Sequence, residues 1–372
     1  MESQNADCES RTLEHPLGEC LSRPEPSTPA SFRRRTRSVA GRTLLWTLGL
    51  ASMTSATAWA QGTAVLTQHN DNNRSGANLA ETTLTVSAVN SDLFAKFFSR
   101  AVRGSIYAQP LYVPNVNCPG VGLRNLVYVA TMHNHVYAID ISGPSAAPCW
   151  DRQFGPSIPL PDNIIGGGAG YRDIWGEVGI VSTPVISQRD NALFFITTTK
   201  SGTSYSHIIH KVRLTDGSDI LIPITLSAPN FDSAKQIQRA SLLLSSGVVY
   251  ASFAAYRDST PYHGWVFAFD SSTLKQLPAF NDTAPTPPPP LDYSPAGPAG
   301  GIWMSGQGPA ADSSNNIYLM TGNGYFNYDT KPPLNMSVLD LDSTFAKLKL
   351  DNSRSILTAQ SWFAPFNVYN QV

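Results

Sequence analysis

The chain has 372 residues, of which 42% are hydrophobic, 10% aromatic and only 14% charged, with 27 glycines, 28 prolines and a formal net charge of −1. This length is enough to bury a large core, and the low charged fraction argues against coiled coils and solvating disordered chains. Because no long basic block follows residue 42, nucleic-acid binding through a basic face is also disfavoured.

The first 60 residues have the pattern of a leader. Five arginines between positions 33 and 42 precede an apolar stretch from Leu44 to Ala58, which ends in Ala58-Trp59-Ala60. A basic region, an apolar region and an A-x-A site together predict a cleaved secretory signal. The stretch is too short and too rich in Ser and Thr for a membrane span. We therefore predict a leader over 1–60 and a secreted or periplasmic mature chain, 61–372, without a membrane span.

Short runs rich in β-branched and aromatic residues recur after this leader and predict strands. They fall into four groups whose first runs start near residues 109, 183, 241 and 307. Each group predicts a four-stranded antiparallel sheet, and such sheets bury both faces when they stack radially. The sequence therefore predicts an all-β fold, a β-propeller with about four blades. The predicted third strands of the groups are His135–Asp140, 207–212, 264–270 and Met336–Asp340.

Propeller geometry divides the connections between two ends. If the strands of a blade are lettered A to D from the axis outwards, the B–C turns and D–A crossovers lie at one end and the other turns at the opposite end. We call the end with the B–C turns and D–A crossovers the crossover end. The pockets of propellers usually lie there, between the connecting segments. The residues that we place there are His133, Glu177, Lys200, His263, Gly300–Trp303, Thr321–Gly324 and the proline-rich stretch Pro285–Pro298.

The two cysteines of the mature chain, Cys118 and Cys149, fall in an A–B and a C–D connection and therefore share the opposite end. Export favours a disulfide between them. Two free buried thiols are the alternative.

The turn after one predicted strand carries a family likeness. Ala268-Phe-Asp-Ser-Ser-Thr-Leu resembles the A-x-D-x-x-T-G phrase of the pyrroloquinoline quinone (PQQ) repeat family, and Ala138-Ile-Asp140 with Trp150 and Thr215-Asp-Gly217 are weaker copies. The resemblance implies that Asp, Thr and Gly form the turn after the third strand and that the Trp locks the next blade. Ordinary hairpin turns are the alternative interpretation.

Three phrases at the predicted crossover end resemble those of PQQ-dependent alcohol dehydrogenases: Glu177-Val-Gly179, Gly300-Gly301-Ile-Trp303 and Thr321-Gly322-Asn323. The resemblance implies that Glu177 and Asn323 bind calcium and that Trp303 stacks on the quinone. Hard oxygen ligands suit calcium, and a flat aromatic ring suits a planar cofactor. The alternatives are that Glu177 caps backbone amides, that Trp303 packs between blades and that Thr-Gly-Asn is a turn.

The chain departs from these enzymes where they carry a catalytic aspartate, because Trp362–Asn367 offers Asn367, an amide that cannot act as a base. Whether the chain is an enzyme therefore stays open. Two functions remain: an exported binding or scaffold propeller whose crossover end takes an unknown protein or small-molecule ligand, or a PQQ- and calcium-dependent alcohol or sugar dehydrogenase, or a fragment of one. We also expect either a natural gene that continues past Val372 or closure of the last blade by Val65–Thr67 or Ala95–Ser99.

Overall fold

The computed structural model describes residues 63–90, 94–259, 262–283, 299–322, 341–351, 353 and 355–365. The chain divides after Thr57 into two compact units, and every described residue belongs to the second. The predicted strand Met336–Asp340, the proline-rich stretch 285–298, Asn323 and Asn367 lie outside the described residues.

The strands form four antiparallel sheets in chain order and one two-stranded ribbon. Sheet I contains β1 Leu111–Cys118, β2 Gly122–Ala130, β3 His135–Asp140 and β4 Trp150–Gln153. The ribbon contains β5 Ile158–Pro159 and β6 Glu177–Val178. Sheet II contains β7 Val185–Ser187, β8 Ala192–Ser201, β9 Ser204–Arg213 and β10 Ile224–Thr225.

Sheet III contains β11 Gln236–Ile237, β12 Leu243–Ser245, β13 Val248–Ala255, β14 Trp265–Asp270 and β15 Phe280–Asn281. Sheet IV contains β16 Ala310–Ala311, β17 Asn316–Met320, β18 Phe345–Asp351 and β19 Ile356–Phe363. Short 3₁₀ turns at Ile165–Gly167, Tyr256–Asp258 and Met304–Gly306 lie in the connections.

The sheets stack face to face in chain order. One apolar cluster joins sheets I and II, a second joins sheets II and III, and a third joins sheets III and IV. Sheet III therefore uses both of its faces: Phe253 and Phe267 point towards sheet II, whereas Tyr250 and Val266 point towards sheet IV. Short strands of sheets II, III and IV also approach one another, because β12 contacts both β7 and β16. These are blades around a common axis, as the sequence predicts.

Burial along the strands follows from this stacking. In β8 and β14 successive residues are buried on both faces, because sheets II and III have neighbours on both sides. In β3 and β18 buried and more exposed residues alternate, as in a sheet with one packed face. The third strand of sheet IV among the described residues is β18, where apolar residues alternate with Lys347 and Lys349.

The predicted closure of the last blade by Val65–Thr67 or Ala95–Ser99 is not what the described residues form. Val65 pairs with Tyr112 in the first sheet, and 95–99 adopts no strand. The reason is that the residues after Ala64 enter the axis, where they contact β1, β7, β12 and β16, one strand of each sheet.

The turn after the third strand of sheet III is built around Asp270. Asp270 accepts hydrogen bonds at Oδ1 from the backbone N–H groups of Ser272 and Thr273 and from the Thr273 hydroxyl. Trp150 of sheet I packs its ring on Gly217 of sheet II, where a Cβ atom would lie 2.6 Å from the ring, and its Nε1 donates to the Leu214 carbonyl at 2.7 Å. This Trp locks two neighbouring blades together.

The predicted disulfide is present. Cys118, the last residue of β1, and Cys149, next to β4, are bonded with a Cα–Cα distance of 5.6 Å. The bond lies on the first sheet, at the end opposite to the crossover segments.

We expect the double variant Cys118→Ser/Cys149→Ser to lose about 2–4 kcal/mol of unfolding free energy, because the bond closes a loop in the unfolded chain. The two cysteines are 31 residues apart. Urea unfolding with and without reductant measures the effect. Reductant should weaken the wild type to the level of the variant and leave the variant unchanged; equal stability of oxidised wild type and variant would contradict the prediction.

Candidate functional site

The crossover segments and B–C turns meet in one apolar layer at one end of the sheets. This layer contains Met132 from the B–C turn of sheet I, Val178 from the first crossover, Ile237 from the second and Tyr256 from the B–C turn of sheet III, with Trp303 packed against it. Segments that are distant in sequence are therefore neighbours here. The loops above this layer are the candidate site.

Glu177 lies at the sheet I side of this end, in β6. Its Oε2 atom is 2.9 Å from Nδ1 of His133 and accepts a short hydrogen bond from the Ser157 hydroxyl. Both side chains are partly exposed, with 28% of the His133 side chain and 23% of the Glu177 side chain accessible. The carboxylate thus ties the crossover to the first B–C turn, and its contacts are side chains rather than the backbone amides that the alternative interpretation expects.

Trp303 lies two crossovers further along, immediately before the 3₁₀ turn Met304–Gly306. Its indole Nε1 donates to Oδ1 of Asp258 at 3.3 Å. Asp258 also accepts a hydrogen bond from Tyr262, and the pKa of that buried phenol is raised by burial first and by the Asp258 carboxylate second. The carboxylate that is hydrogen-bonded to Trp303 is therefore Asp258. Glu177 instead contacts His133 and Ser157.

The two turns that hold this pair have strained backbones. Arg257 and Asp258 have φ of 53° and 47°, and Met304 and Ser305 have φ of 45° and 49°. Consecutive non-glycine residues in the left-handed region cost free energy and are concentrated at functional sites. The hydrogen bond between Asp258 and Trp303 thus joins two strained turns.

Arg239, in the crossover before β12, is the functional candidate that the sequence analysis missed. Its guanidinium is half-buried, lies 6.0 Å from the centre of the Tyr107 ring and packs on Gly306, where a Cβ atom would be 2.2 Å from Nη1. Within the part of the chain that the structure describes, it donates no hydrogen bond and meets no carboxylate. Burial lowers its pKa, and a guanidinium that the described residues leave without an acceptor is available to a carboxylate or phosphate of a ligand.

Two other predicted residues at this end are engaged within the fold. Lys200 donates to Asp162 at 2.5 Å, and Tyr205 donates to the same carboxylate at 2.5 Å. Although burial opposes it, these hydrogen bonds hold the pKa of Asp162 well below its usual value. His263 bonds through Nδ1 to the Thr283 hydroxyl. Among the described residues, no group of three or more His, Cys, Asp or Glu side chains is arranged to hold a metal ion.

Comparison with known proteins gives a fold likeness. No protein-family model matches the chain, and no curated protein matches it. Among solved structures, a quinohemoprotein alcohol dehydrogenase from Pseudomonas putida superposes with a TM-score of 0.52 at 14% identity, over 81% of this chain and 40% of that one. A quinohemoprotein alcohol dehydrogenase from Comamonas testosteroni gives 0.43 at 14% identity, over 70% and 35% of the two chains.

A europium-containing methanol dehydrogenase gives a TM-score of 0.41 at 14% identity, over 68% of this chain and 41% of that one. The chain thus spans less than half the length of each of these three proteins. At such identities the Pseudomonas enzyme supports the propeller fold alone.

A search of the described residues for a helix of membrane-spanning length and apolarity finds none.

Proposed function

We propose that this chain is an exported β-propeller that binds a small planar anion at its crossover end, between the Trp303 ring and the Arg239 guanidinium. The observation that carries the proposal is the half-buried Arg239 cation, which has no hydrogen-bond acceptor among the described residues. Trp303 follows shortly after Gly300 and Gly301 and begins the turn that ends at Gly306, on which Arg239 rests. The disulfide supports export, because such bonds persist in oxidising compartments.

The ligand chemistry follows from these two groups. A guanidinium fork recognises carboxylate or phosphate oxygens, and a partly exposed indole offers its face to a planar ring. Tyr107, whose ring centre is 6.0 Å from the Arg239 guanidinium, adds a second aromatic ring. A planar carboxylated ring is therefore the expected ligand class, and PQQ, itself a planar tricarboxylate, is the probe that the family resemblance recommends.

Calcium fits the described residues less well than the quinone does. Glu177, predicted as a ligand, already contacts His133 and Ser157 through one oxygen. Asp258 is the carboxylate at Trp303, and Asn323, the second predicted ligand, lies outside the described residues. Because no described group of three ligands is present, we assign no step of a reaction to a bound metal.

A PQQ- and calcium-dependent alcohol or sugar dehydrogenase, or a part of one, is the second candidate. The Asp258–Trp303 hydrogen bond favours it, since it places a carboxylate at the edge of the proposed stacking ring. In this case the bound quinone would accept a hydride from the substrate, and this chain would supply the stacking surface and the anion contact. Dye reduction with an alcohol or sugar, dependent on added PQQ and calcium, distinguishes this candidate from binding alone.

We expect PQQ to quench the intrinsic fluorescence saturably and Arg239→Met to weaken its binding about ten- to a hundred-fold, as for loss of a hydrogen bond to a charged group. Trp303→Ala should weaken it about tenfold. Isothermal titration calorimetry with PQQ, with and without calcium, provides the dissociation constants independently of fluorescence.

Trp175→Phe is the matched control, because Trp175 is 71% exposed and belongs to the first crossover. It should bind PQQ as the wild type does. Binding that is absent in the wild type, or equally weakened by the Trp175 and Trp303 variants, would contradict the proposal.

A further inference from the structure

The N-terminal part of the described chain lies along the axis of the propeller. Val65 exchanges two backbone hydrogen bonds with Tyr112 of β1, at 2.8 and 2.9 Å, and the Leu66 carbonyl accepts from the backbone N–H of Ile186 in β7 at 2.8 Å. Asn72 then joins the other two sheets: its amide donates to the Leu244 carbonyl in β12 at 2.8 Å, and its carbonyl accepts from Ala311 in β16 at 2.8 Å. One short segment thus contacts one strand of each of the four sheets.

The centre of this contact is Arg74, which is only 7% exposed. Its Nε atom donates to the Pro309 carbonyl at 3.0 Å and its Nη2 atom to the Leu242 carbonyl at 3.1 Å, so one side chain links sheets III and IV. Its Nη1 atom donates to the Thr67 hydroxyl at 2.6 Å and to the Gln68 carbonyl at 2.8 Å.

The hydrogen-bond acceptors around the Arg74 side chain suit a guanidinium group. All four acceptors are neutral oxygens arranged around a planar fork, and Gly308 leaves the necessary room, because a Cβ atom there would lie 2.5 Å from Nη2 of Arg74. Burial lowers the pKa of Arg74 to about 10, so that it stays charged at neutral pH. A lysine could carry the charge but could not reach acceptors in several directions at once.

The segment is also shaped by its own contacts. The backbone N–H of Gly76 donates to the His69 carbonyl at 3.1 Å, and the backbone N–H of Arg74 donates to the Asp71 carbonyl at 3.1 Å. This closes a compact loop that presents Arg74. By contrast, the following residues are exposed from Ser75 to Ser87, with 95% of Leu79 and 98% of Val86 accessible. The loop is thus joined to the rest of the propeller by an exposed stretch.

We propose that residues 64–76 are a docked peptide: the inner edges of the four sheets form a binding surface for a segment that pairs like a strand at Val65 and then folds into a compact loop with a buried arginine, and the chain's own segment is its occupant. Binding depends on the Arg74 fork and the strand-like pairing of Val65, not on the covalent link to sheet I. Arg74 packs on Gly308 and Arg239 packs on Gly306, so the docked segment and the candidate site both contact the segment 306–308.

Cleavage of the exposed stretch in the folded full-length chain tests this inference. With a site-specific protease sequence inserted between Val86 and Ser87, we expect the N-terminal piece of the cut wild type to co-elute with the propeller in size-exclusion chromatography. Arg74→Met and Arg74→Lys should release it about ten- to a hundred-fold faster. Glu81→Gln changes a charge on the same piece but in the exposed stretch, and should retain it as the wild type does.

A second measurement does not depend on how well the variants fold. A labelled synthetic peptide of residues 63–80 should exchange into the cut wild-type protein, whereas the same peptide with the Arg74→Lys substitution should not. Release of the wild-type piece as fast as from the Arg74 variants would overturn the proposal. Equal retention by all variants, or equal exchange of both peptides, would also overturn it.

Discussion

Acidification should destabilise this protein between about pH 6.5 and pH 4 because of two buried histidines on β9. Burial lowers the pKa of His207 from 6.5 to about 4, and burial likewise lowers that of His210 to about 4. In this window the unfolded chain binds protons that the native protein excludes, so the free energy of unfolding falls as the pH falls. Each histidine should account for about 3 kcal/mol at the bottom of the window, at 1.36 kcal/mol per pKa unit.

The surroundings of the two rings explain why they stay neutral. His207 is fully buried between Phe231 and Phe253, in the core of sheets II and III, and its Nε2–H donates to the Gln236 carbonyl at 3.0 Å. His210 stacks on Phe195 on the opposite face of the strand, and Asp219 favours its charge only weakly against burial. Protonation of either ring would place a charge inside an inter-sheet core.

Urea unfolding across the pH range measures this effect. The double variant His207→Gln/His210→Phe should be much less pH-dependent than the wild type between about pH 6.5 and pH 4. His69→Gln is the control, because His69 is exposed and should leave the profile unchanged. The paired carboxylate Asp162 titrates below this window, so an equal acid sensitivity in wild type and double variant would show that the histidines are not its cause.

The sequence predicts most of the propeller because its signal is local. The runs of β8 and β14 are rich in β-branched and aromatic residues, and turn residues bound them, so the sequence predicts both strands and their order. The sequence prediction did not include β18, whose apolar residues are interrupted by Lys347 and Lys349. In β18 the lysines alternate with Ala346 and Leu348, which is the pattern of a strand with one packed face.

The candidate site was predictable in position and only partly in its residues. The topology places Trp303 and Glu177 at the crossover end, and the structure has them there. The sequence did not indicate a role for Arg239, because a single arginine in a crossover belongs to no motif. Its surroundings in the structure, where the described residues offer it no acceptor, make it a candidate. Arg74 was part of an ordinary polar turn in the sequence, and its role depends on carbonyls more than 160 residues away.

Gly179→Ala should destabilise the protein by about 3 kcal/mol, as expected for strong overpacking. A Cβ atom at this position would lie 2.1 Å from the Met132 carbonyl oxygen and 2.8 Å from the backbone nitrogen of Asn134. These are backbone atoms of the first B–C turn, which cannot rotate away as a side chain would. Moving the turn would also break the Asn134 amide hydrogen bond to the Thr198 carbonyl, at 2.8 Å, which holds sheets I and II together at this end.

Gly143→Ala is the matched control for thermal and urea unfolding, because nothing lies within 4 Å of a Cβ atom there. Its stability should equal that of the wild type, and a similar loss in both variants would contradict the packing argument.

A comparison with Glu177→Gln then distinguishes two roles of the Glu177-Val-Gly179 phrase, packing by the glycine and calcium binding by the glutamate. If the phrase serves packing, the glycine variant loses far more stability than the glutamate variant, and calcium raises the melting temperature of none of the proteins. If Glu177 holds calcium, added calcium stabilises the wild type and Gly143→Ala but not Glu177→Gln.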